Sequence, residues 1–312
     1  MADATKGTGG TMTESGHGGP DPGLSAIMSE RRQLINLAYR LLGSLTEAED
    51  AVQEAYARWY GLSQRQRETV QSRGAWLNRV AGRVCLDVLG SARARRERYV
   101  GEWLPEPLPH RAEWSGDDPA DRVTLDESVD MAFLVVLEAM TPAERVAFVL
   151  HEVFGYPFAE VAGIVGRTPA ACRQLASSAR HRVRAARPSP TPAARQAGLV
   201  RDFKRAWEAK DIGALVGLLD PGATATADGG GVVGAALEPI EGGERIARYF
   251  ADLAARAPDD VDALECTVNG RPGLAFRQDG AIVTVLAFEI ADRRIRRIWA
   301  MRNPEKLRSW AW

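Results

Sequence analysis

The chain has 312 residues, 45% of them hydrophobic, and its 40 basic and 41 acidic side chains leave a net charge of −1. That length and apolar content allow two or three domains with cores of their own. No apolar run reaches the roughly 18 residues of a membrane helix, and three scattered cysteines (Cys85, Cys172, Cys266) form neither a disulfide framework nor a metal-ligand spacing. They read as reduced core thiols of a cytosolic protein that needs no metal or cofactor and no membrane partner.

The stretch 1–23 is rich in Gly, Thr and Ser, carries Pro20 and Pro22, and lacks the basic start and apolar run of a secretory signal. It is expected to be a disordered tail, with Met12 or Met28 as candidate starts. Across 24–98 apolar residues recur at helical spacing (Leu34, Ile35, Ala38, Leu41, Leu42; Ala51, Val52, Ala55, Tyr56; Trp76, Leu77, Val80, Val84), which predicts an all-helical domain. Its second helix should start after Gly43-Ser44, with Thr46 and Glu49 as a capping box. Trp59 and Trp76 sit on apolar faces and are read as core rather than as stacking platforms.

Residues 99–127 contain Pro105, Pro107 and Pro109 and are expected to be a linker, because proline removes a helical donor. A second helical domain follows over 128–187, then a stiff proline-rich spacer over 188–196. The remainder, 197–312, predicts amphipathic helices up to Leu219 and over Glu244 to Arg256. Strands are expected at Ala223 to Ala227, Ala263 to Val268, Leu274 to Arg277, Ala281 to Ile290 and Arg294 to Met301. This order predicts a compact α+β domain with a curved antiparallel sheet.

Charge is unevenly placed. Arg65 to Arg98 holds nine arginines against Glu68, Asp87 and Glu97, and Arg167 to Arg187 holds six with no acid. Between them, Tyr99 to Asp130 holds nine carboxylates against Arg111 and Arg122. Two separated basic stretches are the footprint of a protein that touches nucleic acid twice. Residues 195–312 balance 17 basic with 17 acidic side chains, so the last domain is not expected to be a third contact.

The sharper basic motif is a helix-turn-helix. Thr141-Pro142-Ala143-Glu144 caps one helix that stops at Gly155; a short helix follows Pro157, then the turn Gly166-Arg167, and Thr168-Pro169 caps a long basic helix. Arg173, Gln174 and Ser177 are the candidates for base edges, with Arg180, Arg182 and Arg184 nearer the phosphates. A merely solvated basic face is the bland alternative. In the first domain, Glu49, Asp50, Gln53 and Glu54 form a polar face that is either solvated or docks a protein.

Glu47 to Trp59, followed by Ala75-Trp-Leu and Ala81 to Arg96, resembles region two of bacterial extracytoplasmic-function sigma factors, and Thr141 to Arg187 resembles their region four. The resemblance implies that Asp50, Gln53, Glu54 and Arg58 bind the clamp of core RNA polymerase. It implies that Asn78, Arg79, Arg83, Arg93, Arg95 and Arg96, with the loop Leu62 to Ser72, recognise and open the −10 promoter element. It further implies that Thr168, Arg173, Gln174, Ser177, Ser178, Arg180 and Arg182 read the −35 element. The acidic linker would suit a basic polymerase channel.

The C-terminal domain resembles the SnoaL-like family of cone-shaped α+β barrels, and a subgroup of these sigma factors carries such an extension. Its marks here are Trp103-Leu104-Pro105-Glu106-Pro107, Asp228-Gly229-Gly230-Gly231, Asn269 to Gly273 and Asn303-Pro304-Glu305-Lys306-Leu307. Where the subgroup commonly has a lysine after the glycines, this chain has Val232. The resemblance implies that the barrel packs on the sigma part through these residues and regulates it, so the chain is a multidomain sigma factor and not an enzyme.

The barrel has no histidine and one tyrosine, Tyr249, so catalysis would fall to Asp228, Glu238 or Glu265. Two rival readings stand beside the main one: a ligand-responsive helix-turn-helix regulator, with a small molecule in the barrel, and a barrel enzyme fused to DNA-binding helices.

Overall fold

The structure, a computed structural model, describes residues 22–96, 99, 101–109, 129–186 and 191–310. Most of the expected tail, the acidic linker beyond 109 and the spacer over 187–190 lie outside these residues.

The first domain comprises α1 (Pro22–Leu42), α2 (Leu45–Gly61), α3 (Gln64–Glu68) and α4 (Arg73–Arg96). Leu34, Ile35, Ala38, Leu41 and Leu42 of α1 meet Ala48, Ala51, Val52 and Ala55 of α2 and Leu77, Ala81, Val84 and Cys85 of α4 in one core. Gly43, in the left-handed region at φ 70°, ends α1. The cap of α2 is Ser44, whose hydroxyl accepts from the Glu47 N–H at 3.4 Å. The expected Thr46/Glu49 box is therefore corrected: Ser44-x-x-Glu47 and Thr46-x-x-Glu49 have the same local pattern, and the helix begins at the earlier one. Trp59 is buried and packs edge to face on Trp76, with ring centres 5.2 Å apart.

The second domain comprises α5 (Met131–Glu138), α6 (Pro142–Phe148), α7 (Phe158–Val165) and α8 (Pro169–Ala186). Reciprocal bonds between Thr141 and Glu144 start α6, and the helix runs on as a π-helical turn over Val149–Val153. Gly166, at φ 71°, closes α7. The Thr168 hydroxyl then accepts from the Ala171 N–H at 3.2 Å and starts α8.

The barrel places α9 (Ala193–Glu208), α10 (Ile212–Leu218) and α11 (Gly243–Arg256) against a six-stranded sheet. Its strands are β1 (Leu219–Asp228), β2 (Ile240–Glu241), β3 (Asp262–Val268), β4 (Arg271–Gln278), β5 (Ala281–Ala291) and β6 (Arg294–Met301), in the order β2-β1-β6-β5-β4-β3. The expected all-antiparallel sheet is corrected at one pair. β1 and β6 run parallel, Ala225 opposite Ile298, because α11 and four strands separate them and return the chain in the same direction.

Both faces of the sheet are covered. Leu274, Phe276, Leu286, Phe288 and Ile298 face Phe203, Trp207 and Phe250 of the barrel helices. The alternate residues Ala275, Val285, Ala287, Trp299 and Met301 join the core of the two helical domains. That is why the stretch Val285–Phe288 of β5 reads as a continuous apolar run rather than an alternating one.

Between the sheet and the helices runs an extended strap, Gly101–Pro109, buried from Leu104 to Leu108. Its backbone is bonded alternately to the two sides. Glu106 N–H donates to the Gly43 carbonyl at 2.7 Å and the Tyr39 hydroxyl donates to the Glu106 carbonyl at 2.7 Å. Leu108 N–H donates to Asn269 Oδ1 at 3.0 Å, and Trp310 Nε1 donates to the Pro107 carbonyl at 2.9 Å. Pro105, Pro107 and Pro109 have no N–H, so a buried extended segment needs fewer donor partners here.

Candidate nucleic-acid interface and interdomain latch

On α2, Asp50, Gln53, Glu54 and Arg58 all face solvent, with Arg58 Nε bonded to Glu54 at 2.8 Å. Tyr56, on the other side, donates to Glu30 at 3.2 Å, and burial raises its hydroxyl pKa to about 12. The polar face is thus free of the core beneath it.

The basic helix α4 behaves differently. Arg79 and Arg83 are exposed, yet the Asn78 side chain lies beside the Tyr156 hydroxyl and Arg83 Nη1 donates to the Ile164 carbonyl at 3.0 Å. Gly82 packs against the Ile164 side chain at the same place. Arg40 lies over the Phe154 ring at 5.5 Å, and the buried Arg145 donates to the Leu41 carbonyl at 2.9 Å. The second domain thus touches α4 at Asn78, Gly82 and Arg83, while about half of the Arg83 side chain stays exposed. α4 continues through Arg93, Arg95 and Arg96, whose side chains fall outside the described residues.

On α8, Cys172, Ala176, Ala179 and Val183 are buried, which turns Arg173, Gln174, Ser178 and Arg182 outward and leaves Ser177 and Arg180 at the margin. Arg180 pairs with Glu152, whose carboxyl is held below the usual range chiefly by that guanidinium. Glu144 accepts from Ser178 and Arg182 at 3.3 Å each. Burial pushes the Glu144 carboxyl up, but the Thr141, Arg182 and Ser178 donors outweigh it and hold it low.

The residues quoted for the barrel meet around one buried carboxylate. Asp228, 0% exposed, accepts from the Tyr99 hydroxyl at 2.6 Å, the Leu104 N–H at 2.9 Å, the Gly230 N–H at 3.0 Å and the Lys306 ammonium at 2.7 Å. Asn303 Nδ2 donates to the Tyr99 hydroxyl at 2.9 Å, and Pro304 opens the 3₁₀ turn Pro304–Trp310 that carries Lys306. Lys306 Nζ also reaches the Leu104 carbonyl at 2.6 Å and sits 3.9 Å from the Trp103 ring centre. The glycines are forced: a Cβ on Gly229 would lie 2.3 Å from the Val233 carbonyl oxygen, and Gly230 stands at φ 69° against Asn303. Val232 is 81% exposed and takes no part, so Lys306 supplies the ammonium of this latch.

A second contact lies at Glu106, whose carboxylate accepts from the Leu45 N–H at 2.8 Å and the Ser44 hydroxyl at 3.3 Å, at the positive end of α2. Pro105 lies beside Gly43. Burial pushes the Glu106 carboxyl up to about 7. Tyr39 and Tyr99 were not singled out from sequence, and Asn269 and Lys306 entered only as members of the quoted motifs. Tyr39 carried a signal: a tyrosine amid a fully apolar helical face needs a partner for its hydroxyl, and here Asn269 Nδ2 donates to it at 2.9 Å. Of the other barrel acids, Glu238 and Glu265 are exposed, while burial raises the Glu289 carboxyl against its Arg297 partner at 3.0 Å.

Residues 26–96 match the Sigma-70 region 2 model and residues 130–183 the Sigma-70 region 4 model. The chain is 37% identical to the ECF RNA polymerase sigma factor SigJ of Mycobacterium tuberculosis, over 91% of this chain and 92% of that one. It is 35% identical to the probable ECF sigma factor SigI of the same organism, over 92% and 95%. The crystal structure of M. tuberculosis SigJ superposes with a TM-score of 0.74 at 33% identity, covering 92% of this chain and 98% of that one. With both helical domains matched and the likeness running through the barrel, this chain belongs to the extracytoplasmic-function family of RNA polymerase sigma factors.

Proposed function

We propose that this sigma factor engages the clamp of core RNA polymerase through the exposed α2 face, reads promoter DNA with α4 and α8, and is held closed by its own barrel. The latch at Asp228 carries the reading. A fully buried carboxylate joins Tyr99 and the strap residue Leu104 to Lys306 of the barrel, while the strap joins α1 and α2 at Tyr39, Gly43 and Leu45. In this closed form Asn78 and Arg83 touch the second domain at Tyr156 and Ile164, so full engagement of an unstacked base or a freed strand by these two residues would require those contacts to be given up. A polymerase or DNA contact that favours the separated form shifts the population toward it.

The barrel is a regulator in this reading and not a catalyst, because Asp228 already accepts from four donors. One observation favours a small-molecule input: a cavity of about 430 Å³ lies between α5, α8 and the sheet, lined by Met131, Phe133, Val183, Arg271, Ala287 and Glu289. A ligand there would act on the domain junction rather than inside the barrel.

The test is run-off transcription with purified core polymerase from a promoter selected by the holoenzyme. Asp228→Ala should raise output by opening the latch. Equal output from both proteins would overturn the regulatory role, and failure of the unaltered chain to bind core would overturn the polymerase partnership.

A further inference from the structure

Two arginines near the middle of α8 are restrained in chemically different ways. Arg180 is bonded through its N–H groups to the Glu152 carboxylate. Arg173 instead lies with its guanidinium carbon 5.4 Å from the centre of the Phe158 ring. An aromatic face attracts the flat side of the cation and leaves the in-plane N–H donors unused. A carboxylate consumes those donors. Only the first arrangement leaves an arginine ready for the paired O6 and N7 acceptors of guanine.

The ring is itself fixed. Phe158 is the first residue of α7, and its ring stacks on His151 with centres 3.8 Å apart and planes 27° from parallel. His151 belongs to the π-helical turn, and its Nδ1 lies 2.9 Å from the Tyr156 carbonyl, which places a hydrogen on that nitrogen. The π turn, α7 and α8 thus meet at one aromatic platform under the guanidinium.

We propose that Phe158 is a positioning residue for promoter recognition: it holds Arg173 by the face of its guanidinium and so presents the N–H edge to a guanine in the −35 element. The inference rests on the reading of α8 as the −35 helix.

Holoenzyme containing the full chain would be used to select from a library of duplex promoters randomised over the −35 element with the −10 element fixed. Base preferences would be counted for the unaltered chain and for Arg173→Ala, Phe158→Leu and Phe158→Tyr. Arg173→Ala should erase the preference at one position. Phe158→Leu, which keeps apolar bulk and removes the π face, should weaken preference at that same position by roughly two- to fivefold, the size of an exposed cation–π contact. Phe158→Tyr should restore it. An even change at all positions, no change, or a sharper preference with Phe158→Leu overturns the positioning role. No change with Arg173→Ala overturns instead the readout on which it depends.

Discussion

Lys306 and Asp228 meet at 2.7 Å with side chains only 11% and 0% exposed, one from the turn after β6 and the other from the end of β1. Removing one member of a buried pair strands the other charge, so Lys306→Met should cost about 3–5 kcal/mol. Urea unfolding of the full chain checks this. A loss below about 1 kcal/mol, the range of exposed pairs, would show that water reaches the carboxylate.

The turn after β1 offers a sharper contrast. Gly230→Ala places a Cβ at φ 69° and 2.6 Å from the Asn303 side chain, while Gly234→Ala meets nothing within 4 Å. The first change should destabilise by about 1–3 kcal/mol and the second by a few tenths at most. Paired thermal melts decide it. Similar shifts for both would mean that the loop relaxes around the added methyl.

Glu106 makes the closed form pH-dependent. Burial raises its carboxyl from the ordinary 4.5 to about 7, so the folded protein binds this proton more tightly than the unfolded chain does. Stability from this group is therefore greatest below about pH 4.5 and is lost as pH rises through about 7, by about 1–3 kcal/mol. Glu106→Gln, whose amide oxygen still accepts from Leu45, should flatten that slope between pH 5 and 8. Glu289 slopes in the same direction and Glu144 and Glu152 in the opposite one, so the measured quantity is the difference between the variant and the unaltered chain.

The helices were legible because their signals are local: stripes of apolar residues, Thr141-x-x-Glu144, Gly166. The start of α2 was not, since two overlapping capping patterns compete and the choice coincides with Glu106, distant in sequence, bonding the Leu45 N–H. The parallel β1/β6 pair was illegible for the same reason, as strand direction across a long connection leaves no mark in either strand. The strap was half legible. Its prolines excluded a helix and the resemblance marked Trp103 to Pro107 as an interdomain contact, but the composition of the segment by itself does not reveal burial on both sides. The apolar run Val285–Phe288 of β5 did hold a clue that both sheet faces are covered. Among site residues, the outward set on α8 follows from helical period, whereas the partners of Asn78 and Arg83 depend on how two domains dock.

Arg182 tests the phosphate role on α8. It is half exposed beside Glu144 at 3.3 Å. Arg182→Ala should weaken promoter binding evenly across sequences and lower the salt dependence by about 1 in slope. Titrating holoenzyme on one promoter and on a scrambled duplex at several salt concentrations measures both. A loss confined to the specific promoter would place Arg182 among the base-reading residues.

The three prolines of the strap bear on how reversible its detachment is. A segment already locked near one backbone angle surrenders little freedom each time it reseats, and it carries few amide hydrogens with which to pair wrongly against a neighbouring chain's strand. Were the strap to leave in the proposed opening, Pro105, Pro107 and Pro109 would favour clean reseating over pairing with other chains.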